Sequence, residues 1–395
     1  MKQITIIGGG SSSHSLIAFL GNTSMRVNIL TSRPNSWSKT VKTKYTNQNN
    51  EVVWVKQGKI NRASSNPADV IPGSDLIILC MPVNAYRESL HNIAPYIDKD
   101  KNVFVGTIYG QGGFNWMVKE IVLEHELNNV ITFAFGLIPW ICRIEKYGSV
   151  GIVYGGKALN YVALDKKEYF PLLKQSFLDA ITKDIFHKDE CKLADNFISL
   201  TFSVDNQIIH PTRLYSLWLE AKDGWESEDD VPYFYKDYTQ ESADILLRLD
   251  EDYSKIREAI KAKFPHKNFD FMLDYLTLER LTNGSNSPSI LSSFVDSKTL
   301  GLISTPSVFE NGRYVIDKKH RFFRDDIYYG IMIAKWFAQK FDLNVPMIDE
   351  ILNWAQVMLD DHLIKGDKLI DKETSRFKNG LPSQYSFMNE EILFS

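Results

Sequence analysis

The chain opens on Lys2 to Ile7, a short β-branched run that meets Gly8-Gly9-Gly10-Ser11-Ser12-Ser13 and continues into His14 to Leu20, where Leu16, Ile17 and Leu20 share a helical face. No other feature limits the fold so tightly. A strand that becomes a helix within so few residues needs a first glycine for the tight turn, a second so that a ligand can approach the backbone, and a third small residue for close helix–strand packing. Gly8, Gly10 and Ser13 fill these places, and Ser11 opens the helix whose unpaired N–H groups attract phosphate. The pattern predicts a dinucleotide-binding turn made by Gly8, Gly10, Ser11 and Ser13.

The following segments repeat the alternation. Arg26 to Leu30 reads as a second strand, Val52 to Val55 as a strand or hairpin edge, and Asp75 to Cys80 as a strand buried on both faces and ended by Pro82. Further strands are expected at Asn102 to Gly106 and Val130 to Phe135, with helices over Tyr86 to Ile97 and Asn115 to Leu127. Alternating strand and helix predicts an α/β Rossmann-type fold, a doubly wound parallel sheet. Beyond Phe186 the spacing turns helical, most clearly over Glu241 to Phe264 and Asp325 to Phe341, which predicts an all-α second domain. The 395 residues accommodate both domains. We place a dinucleotide-binding domain at 1–185, a helical substrate and catalytic domain at 186–395, a linker at Thr182 to Lys192, and the active cleft between the domains.

The choice of dinucleotide is read at the end of the second strand, where an acidic residue would bond a ribose 2′-hydroxyl and an arginine would accommodate a 2′-phosphate. That end is Leu30-Thr31-Ser32-Arg33, without a carboxylate. Ser32 and Arg33 therefore favour NADP(H), with NAD(H) the alternative. Met81 and Pro82, and the glycine-rich loop Gly106 to Gly113, fall at the carboxyl edge of the same sheet and suit the nicotinamide side.

Composition narrows the partners. With 45 basic and 49 acidic residues the net charge is −4, so nothing suggests nucleic acid. The most apolar stretches, Leu76 to Val83 and Val130 to Cys142, fall short of the roughly 20 residues of a membrane span. Cys80, Cys142 and Cys191 form no CxxC pair, and the N-terminus lacks the pattern of a secretory signal, so a reducing, cytoplasmic setting is expected. His187, Asp189, Glu190 and Cys191 resemble a metal cluster, but linker charges explain them more simply, and no metal cofactor is expected. Small molecules are the expected partners, and a homodimer is the assembly to test for.

Two places could carry chemistry. His210 precedes Pro211, which biases it out of helix toward an extended or turn position near a helix start, from which it can project into a cleft. On spacing alone, a structural histidine is the simpler reading. The second is His320 to Gly330, where Asp325 and Asp326 suit the start of an apolar helix.

Taken in order, the Gly8-x-Gly10 turn, the Leu137-Ile138-Pro139-Trp140-Ile141-Cys142-Arg143 segment, Asn206-x-x-x-His210-Pro211, and Arg321-x-x-x-x-Asp326 before an apolar helix resemble the octopine/nopaline (opine) dehydrogenase family. The resemblance implies that His210 and Asp326 form a catalytic dyad, that Arg321 holds a substrate carboxylate, and that Asn206 and Arg143 lie on the substrate side. It implies NAD(P)H-dependent condensation of a 2-oxo acid such as pyruvate with the amino group of an amino acid, through an imine. A histidine can exchange protons near neutrality, and an arginine can grip a carboxylate with two bonds. Two alternatives remain open at this point: a ketopantoate reductase-like 2-oxo or 2-hydroxy acid dehydrogenase, and a non-catalytic NADP-binding sensor.

Overall fold

The computed structural model describes all residues except 48, 50, 188, 285, 298, 299, 302 and 371–377. The chain divides into two compact units, 1–201 with 269–271 and 387–395, and 202–268 with 272–386.

The first unit is built on one eleven-stranded sheet. Its strands are β1 (Gln3–Ile7), β2 (Arg26–Leu30), β3 (Thr40–Thr46), β4 (Val52–Ser64), β5 (Leu76–Leu79), β6 (Val103–Thr107), β7 (Val130–Phe135), β8 (Trp140–Lys146), β9 (Val150–Gly156), β10 (Tyr161–Leu164) and β11 (Lys192–Ala194). They lie in the order β11-β10-β7-β6-β5-β1-β2-β4-β3-β9-β8. From β7 through β4 every neighbouring pair is parallel, which is the doubly wound arrangement anticipated from the alternation. Helices α1 (Ser11–Phe19), α2 (Tyr86–Ile93) and α3 (Phe114–His125) connect these strands. Ile4, Ile6, Ile29, Leu76 and Ile78 are fully buried, because a parallel sheet covered on both faces leaves no solvent side for alternation. Beyond β4 the sheet continues through β3, β9 and β8, an extension that short polar-apolar alternation did not announce.

Residues 182–192 are not a linker. Helix Lys183–Phe186 follows helix Asp179–Ile181 directly and lies within that stretch, and β11, which begins at Lys192, pairs in parallel with β10. The charges of this stretch drew attention away from Ile181, Ile185 and Cys191, whose buried side chains fix it to the first unit.

The second unit is helical, with Asn206–Glu220, Gln240–Lys263, Tyr275–Asn283 and Pro346–Leu359 as its longer α-helices. Two small hairpins, Ser307–Glu310 with Arg313–Ile316 and Ile364–Lys365 with Lys368–Leu369, are its sheet content among the described residues. The apolar helix expected from Asp325 begins as a π-helix over Phe323–Ile331 and tightens to α over Met332–Lys340. His210 is inside the helix Asn206–Glu220 rather than extended before it. Pro211 is only the sixth residue of that helix, and its fixed φ is compatible with helix, so the helix runs on through it. Among the described residues no helix is long and apolar enough to cross a membrane.

The turn after β1 shows why its glycines differ. Gly8 has φ +109°, and a Cβ there would collide with the Cys80 carbonyl at the end of β5. A Cβ on Gly10 would meet nothing nearer than 3.8 Å. Gly8→Ala should therefore lower unfolding free energy by roughly 1–3 kcal/mol. Gly10→Ala should leave urea unfolding nearly unchanged while weakening dinucleotide binding, and equal losses of stability in the two variants would contradict this division of roles.

Candidate active site

The first unit carries the dinucleotide turn. Ser13, in the third small position, donates from Oγ to the Gly8 carbonyl at 2.7 Å and so closes the turn from inside. Gly9 is also sterically required, because a Cβ would press on the Tyr147 hydroxyl and Thr31. Ser11 is half-buried at the first position of α1, and the open space at Gly10 lies beside it, so the turn fits a pyrophosphate approaching the helix N-terminus. Met81 and Pro82 follow β5 at the same carboxyl edge, with Met81 Sδ accepting from Ser89 at 3.2 Å.

His14, unremarked in the sequence, holds this turn from behind. Its Nδ1–H donates to the Gly10 carbonyl at 2.8 Å, and its Nε2 accepts from the Gly148 N–H at 2.7 Å. A carbonyl only accepts and an amide N–H only donates, so the ring is neutral with its proton on Nδ1. Burial lowers its pKa from the ordinary histidine value, in agreement. Trp37 packs on the ring at 4.4 Å and Tyr147 at 5.5 Å between centroids. Arg33, exposed after β2, lies over the Tyr147 ring at 3.8 Å, while Ser32 is exposed beside it. The guanidinium is thus held on an aromatic platform.

The second unit brings His210 and Asp326 together across 116 residues of sequence, with Nδ1 at 2.8 Å from a carboxylate oxygen. Both side chains are buried, at 4% and 3% exposure. Burial pushes the His210 imidazole well below its ordinary value and the Asp326 carboxyl well above its own. Each group resists its charged form, and the two titrate as one unit. The Arg321 charge acts on both in the same direction, favouring release of the pair's proton.

Local structure explains this placement. Phe322 stacks on the His210 ring, centroids 3.5 Å apart and planes 18° from parallel, and Phe234 meets it edge-on at 5.8 Å. One turn along the same helix, the buried Arg213 donates to the carbonyls of Tyr233, Phe234 and Asp237 and to Ser242 Oγ, which fixes the loop carrying Phe234. Asp326 projects from the π-helical stretch, whose wider turns shift side chains relative to an α-helix and often mark functional positions. Arg321 precedes that stretch, half-exposed, with Nη1 at 3.6 Å from Asp325. His320 packs edge-on against Phe322 at 4.3 Å, its Nδ1 is buried without a hydrogen-bond partner among the described residues, and burial and Arg321 lower its pKa to about 4.

Of the sequence-predicted residues, the structure brings His210, Asp326 and Arg321 into one cluster of the second unit, with Asn206 at the start of the His210 helix. Gly8, Gly10, Ser11, Ser13, Ser32, Arg33, Met81 and Pro82 line the β-strand ends of the first unit. Arg143 is exposed on β8, its Nη1 donating to the Cys142 carbonyl at 2.8 Å. Sequence reasoning missed His14, Tyr147, Arg213, Phe234 and Phe322. The one available signal was the aromatic run beside Arg321.

A glycine turn of the dinucleotide-binding kind in one unit and a buried His–Asp pair beside an arginine in the other are the parts a nicotinamide-dependent oxidoreductase requires. Comparison with known proteins gives the narrower class. Residues 193–359 match the family described as NAD/NADP octopine/nopaline dehydrogenase, alpha-helical domain. An opine dehydrogenase of Haliotis discus hannai is 26% identical over 85% of this chain and 81% of its own length. Octopine dehydrogenase solved with NADH and L-arginine has the same fold, with TM-score 0.81 and 21% identity over 98% of this chain and 96% of that one. Its complex with NADH and pyruvate gives 0.81 and 20% over 100% and 98%. Yersinopine dehydrogenase with NADP+ gives 0.64 and 14% over 91% of each chain. Residues 193–359 thus carry the alpha-helical domain of octopine/nopaline dehydrogenases, and the chain as a whole shares the fold of octopine dehydrogenase and is similar along most of its length to an opine dehydrogenase, an NAD(P)-dependent oxidoreductase acting on CH–NH donors.

If stacking is what orients His210, Phe322→Ala should lower kcat by about 10- to 100-fold, the scale of a small misplacement of a catalytic group. Dinucleotide affinity, measured by fluorescence titration, should stay within error, and an unchanged kcat would remove Phe322 from the site.

Proposed function

We propose that the chain catalyses the NAD(P)H-dependent reductive condensation of a pyruvate-like 2-oxo acid with the amino group of an amino acid. The observation that carries the reading is the buried His210–Asp326 hydrogen bond next to Arg321, which combines a proton-exchanging group with a carboxylate anchor. The 2-oxo acid and amine lose water to form an imine. A bound nicotinamide cofactor supplies the hydride that reduces the imine carbon. Everything else falls to side chains of this chain. Asp326 orients the imidazole, and His210 exchanges protons through Nε2 during dehydration and imine reduction. Arg321 holds a substrate carboxylate, and Asn206 and Arg143 are assigned to substrate binding on the strength of the family motif alone. His320, with its buried Nδ1 unpartnered among the described residues, is a further substrate contact in this reading.

On the cofactor side we assign NADP(H) as the preferred dinucleotide, with NAD(H) accepted. Its support is Arg33, exposed and stacked on Tyr147 where a 2′-phosphate would need a cation, with Ser32 adjacent and no carboxylate at the strand end. The relatives solved with NADH and with NADP+ are compatible with either preference. Gly8, Gly10, Ser11 and Ser13 bind the pyrophosphate, and Met81 and Pro82 flank the nicotinamide. The three free, buried cysteines agree with a reducing cytoplasmic setting.

The test is incubation with NADPH or NADH, pyruvate and a panel of amino acids, following cofactor oxidation and product mass. A secondary amine joining the two carbon skeletons is the expected product, whereas a simple hydroxy acid would overturn the reading. His210→Ala should lose about 10²–10⁴-fold in kcat with cofactor binding retained. Arg33→Ala should reduce kcat/KM with NADPH by about tenfold more than with NADH, the scale of one lost charge-assisted contact.

The pH dependence has a definite sign. Imine reduction consumes the proton held by the His210–Asp326 pair, and oxidation of the product requires the pair without it. Because burial and Arg321 hold the imidazole below its ordinary value, opine formation should decline as pH rises through that lowered range while opine oxidation climbs. Parallel pH profiles in the two directions would rule out this assignment.

A further inference from the structure

Helices α2 and α3 of the first unit carry a second group of histidines and carboxylates that the proposed reaction does not use. His91 lies in the last turn of α2, and Glu120, Glu124 and His125 follow along the last turns of α3. Glu120 is buried and gripped by the buried Arg87, whose Nε and Nη2 donate to its two oxygens at 2.7 and 2.6 Å. His91 Nε2 lies 2.9 Å from one of those oxygens. An arginine-paired carboxylate only accepts, so His91 donates to it from Nε2, which turns Nδ1 away from Glu120. His91 Nδ1 lies 3.3 Å from Glu124 Oε2.

A metal ion would need a third ligand beside these two. His125 supplies one: a ligand atom from each of His91, Glu124 and His125 lies within 4.8 Å of the others. We propose that His91, Glu124 and His125 form a zinc-type divalent cation site that pins α2 to α3. Two imidazoles and one carboxylate suit zinc rather than magnesium or calcium, which take oxygen shells. Zinc–ligand distances of about 2.0–2.1 Å set tetrahedral neighbours roughly 3.3 Å apart. The His91–Glu124 separation already meets this value, and rotation of the exposed Glu124 and half-buried His125 side chains closes the rest. Water takes the fourth position. Arg87 and Glu120 then form the outer carboxylate that orients a ligating histidine, an arrangement metal-binding imidazoles almost always possess.

The full chain, stripped with a chelator, would be titrated with Zn2+ by calorimetry and with Co2+ by visible absorption. One equivalent bound with a tetrahedral cobalt spectrum, and a melting temperature raised by zinc, is expected. His125→Ala and Glu124→Gln should each weaken zinc binding by about tenfold or more, with the zinc-induced melting shift lost and metal-free opine synthesis unchanged. Glu120→Gln should weaken it about 10- to 100-fold through His91 alone. Zinc binding equally well to wild type and His125→Ala, or no binding below about 1 mM, weaker than any site of this ligand set, would show that the group is only an ion-pair cluster.

Discussion

A single proton between His210 and Asp326 sets the demands on the second unit. Neither group is stable in charged form where it is buried, so the pair persists only because each supplies the other's missing partner. The surrounding structure follows from keeping them aligned. Phe322 fixes the plane of the imidazole, Phe234 closes its edge, and Arg213 makes three hydrogen bonds to the loop that carries Phe234 and a fourth to Ser242 in the following helix. Arg213 is itself a buried cation whose donors go to backbone carbonyls and a hydroxyl. Its charge is dispersed over dipoles that cannot move, which is a rigid way of fixing a loop.

The first unit meets a comparable demand with steric means. Gly8 and Gly9 are excluded volumes, one against the Cys80 carbonyl and the other against Tyr147, whereas Gly10 is open space. His14 links the turn to Gly148, in the β8–β9 connection, through a ring that must stay neutral. The glycine turn, Arg33 and Tyr147 are therefore tied into one assembly, so in the proposed reading the groups that would meet a pyrophosphate and the far ribose share one support.

Much of this was legible because it depends on local sequence. The Gly8-Gly9-Gly10 turn and the apolar runs of β1, β5 and β7 carry their own signals, since a steric requirement for glycine and a strand buried on both faces leave marks within a few residues. The His210–Asp326 pairing was legible only through family resemblance, because partners 116 residues apart leave no local trace. Tyr147 and Phe322 escaped since an aromatic that supports a site reads as one that fills a core. The supposed linker failed for a related reason: its charges are conspicuous in sequence, while Ile181, Ile185 and Cys191, which decide where it packs, are not. Pro211 misled because the rule that proline breaks helices weakens in their first turns.

The π-helical stretch Phe323–Ile331 has a consequence for how this chain can vary. Each wide turn holds one residue more than an α-helical turn needs, so the segment behaves as an insertion accommodated without a loop. Removing any one residue from it would let the helix relax to ordinary α pitch and remain continuous with Met332–Lys340. The same relaxation would draw in the wide turns from which Asp326 projects and so displace its carboxylate relative to the neighbouring helices. For this segment, residue count is as strict a requirement as residue identity: a deletion that every packing criterion tolerates would still separate the carboxylate from its histidine.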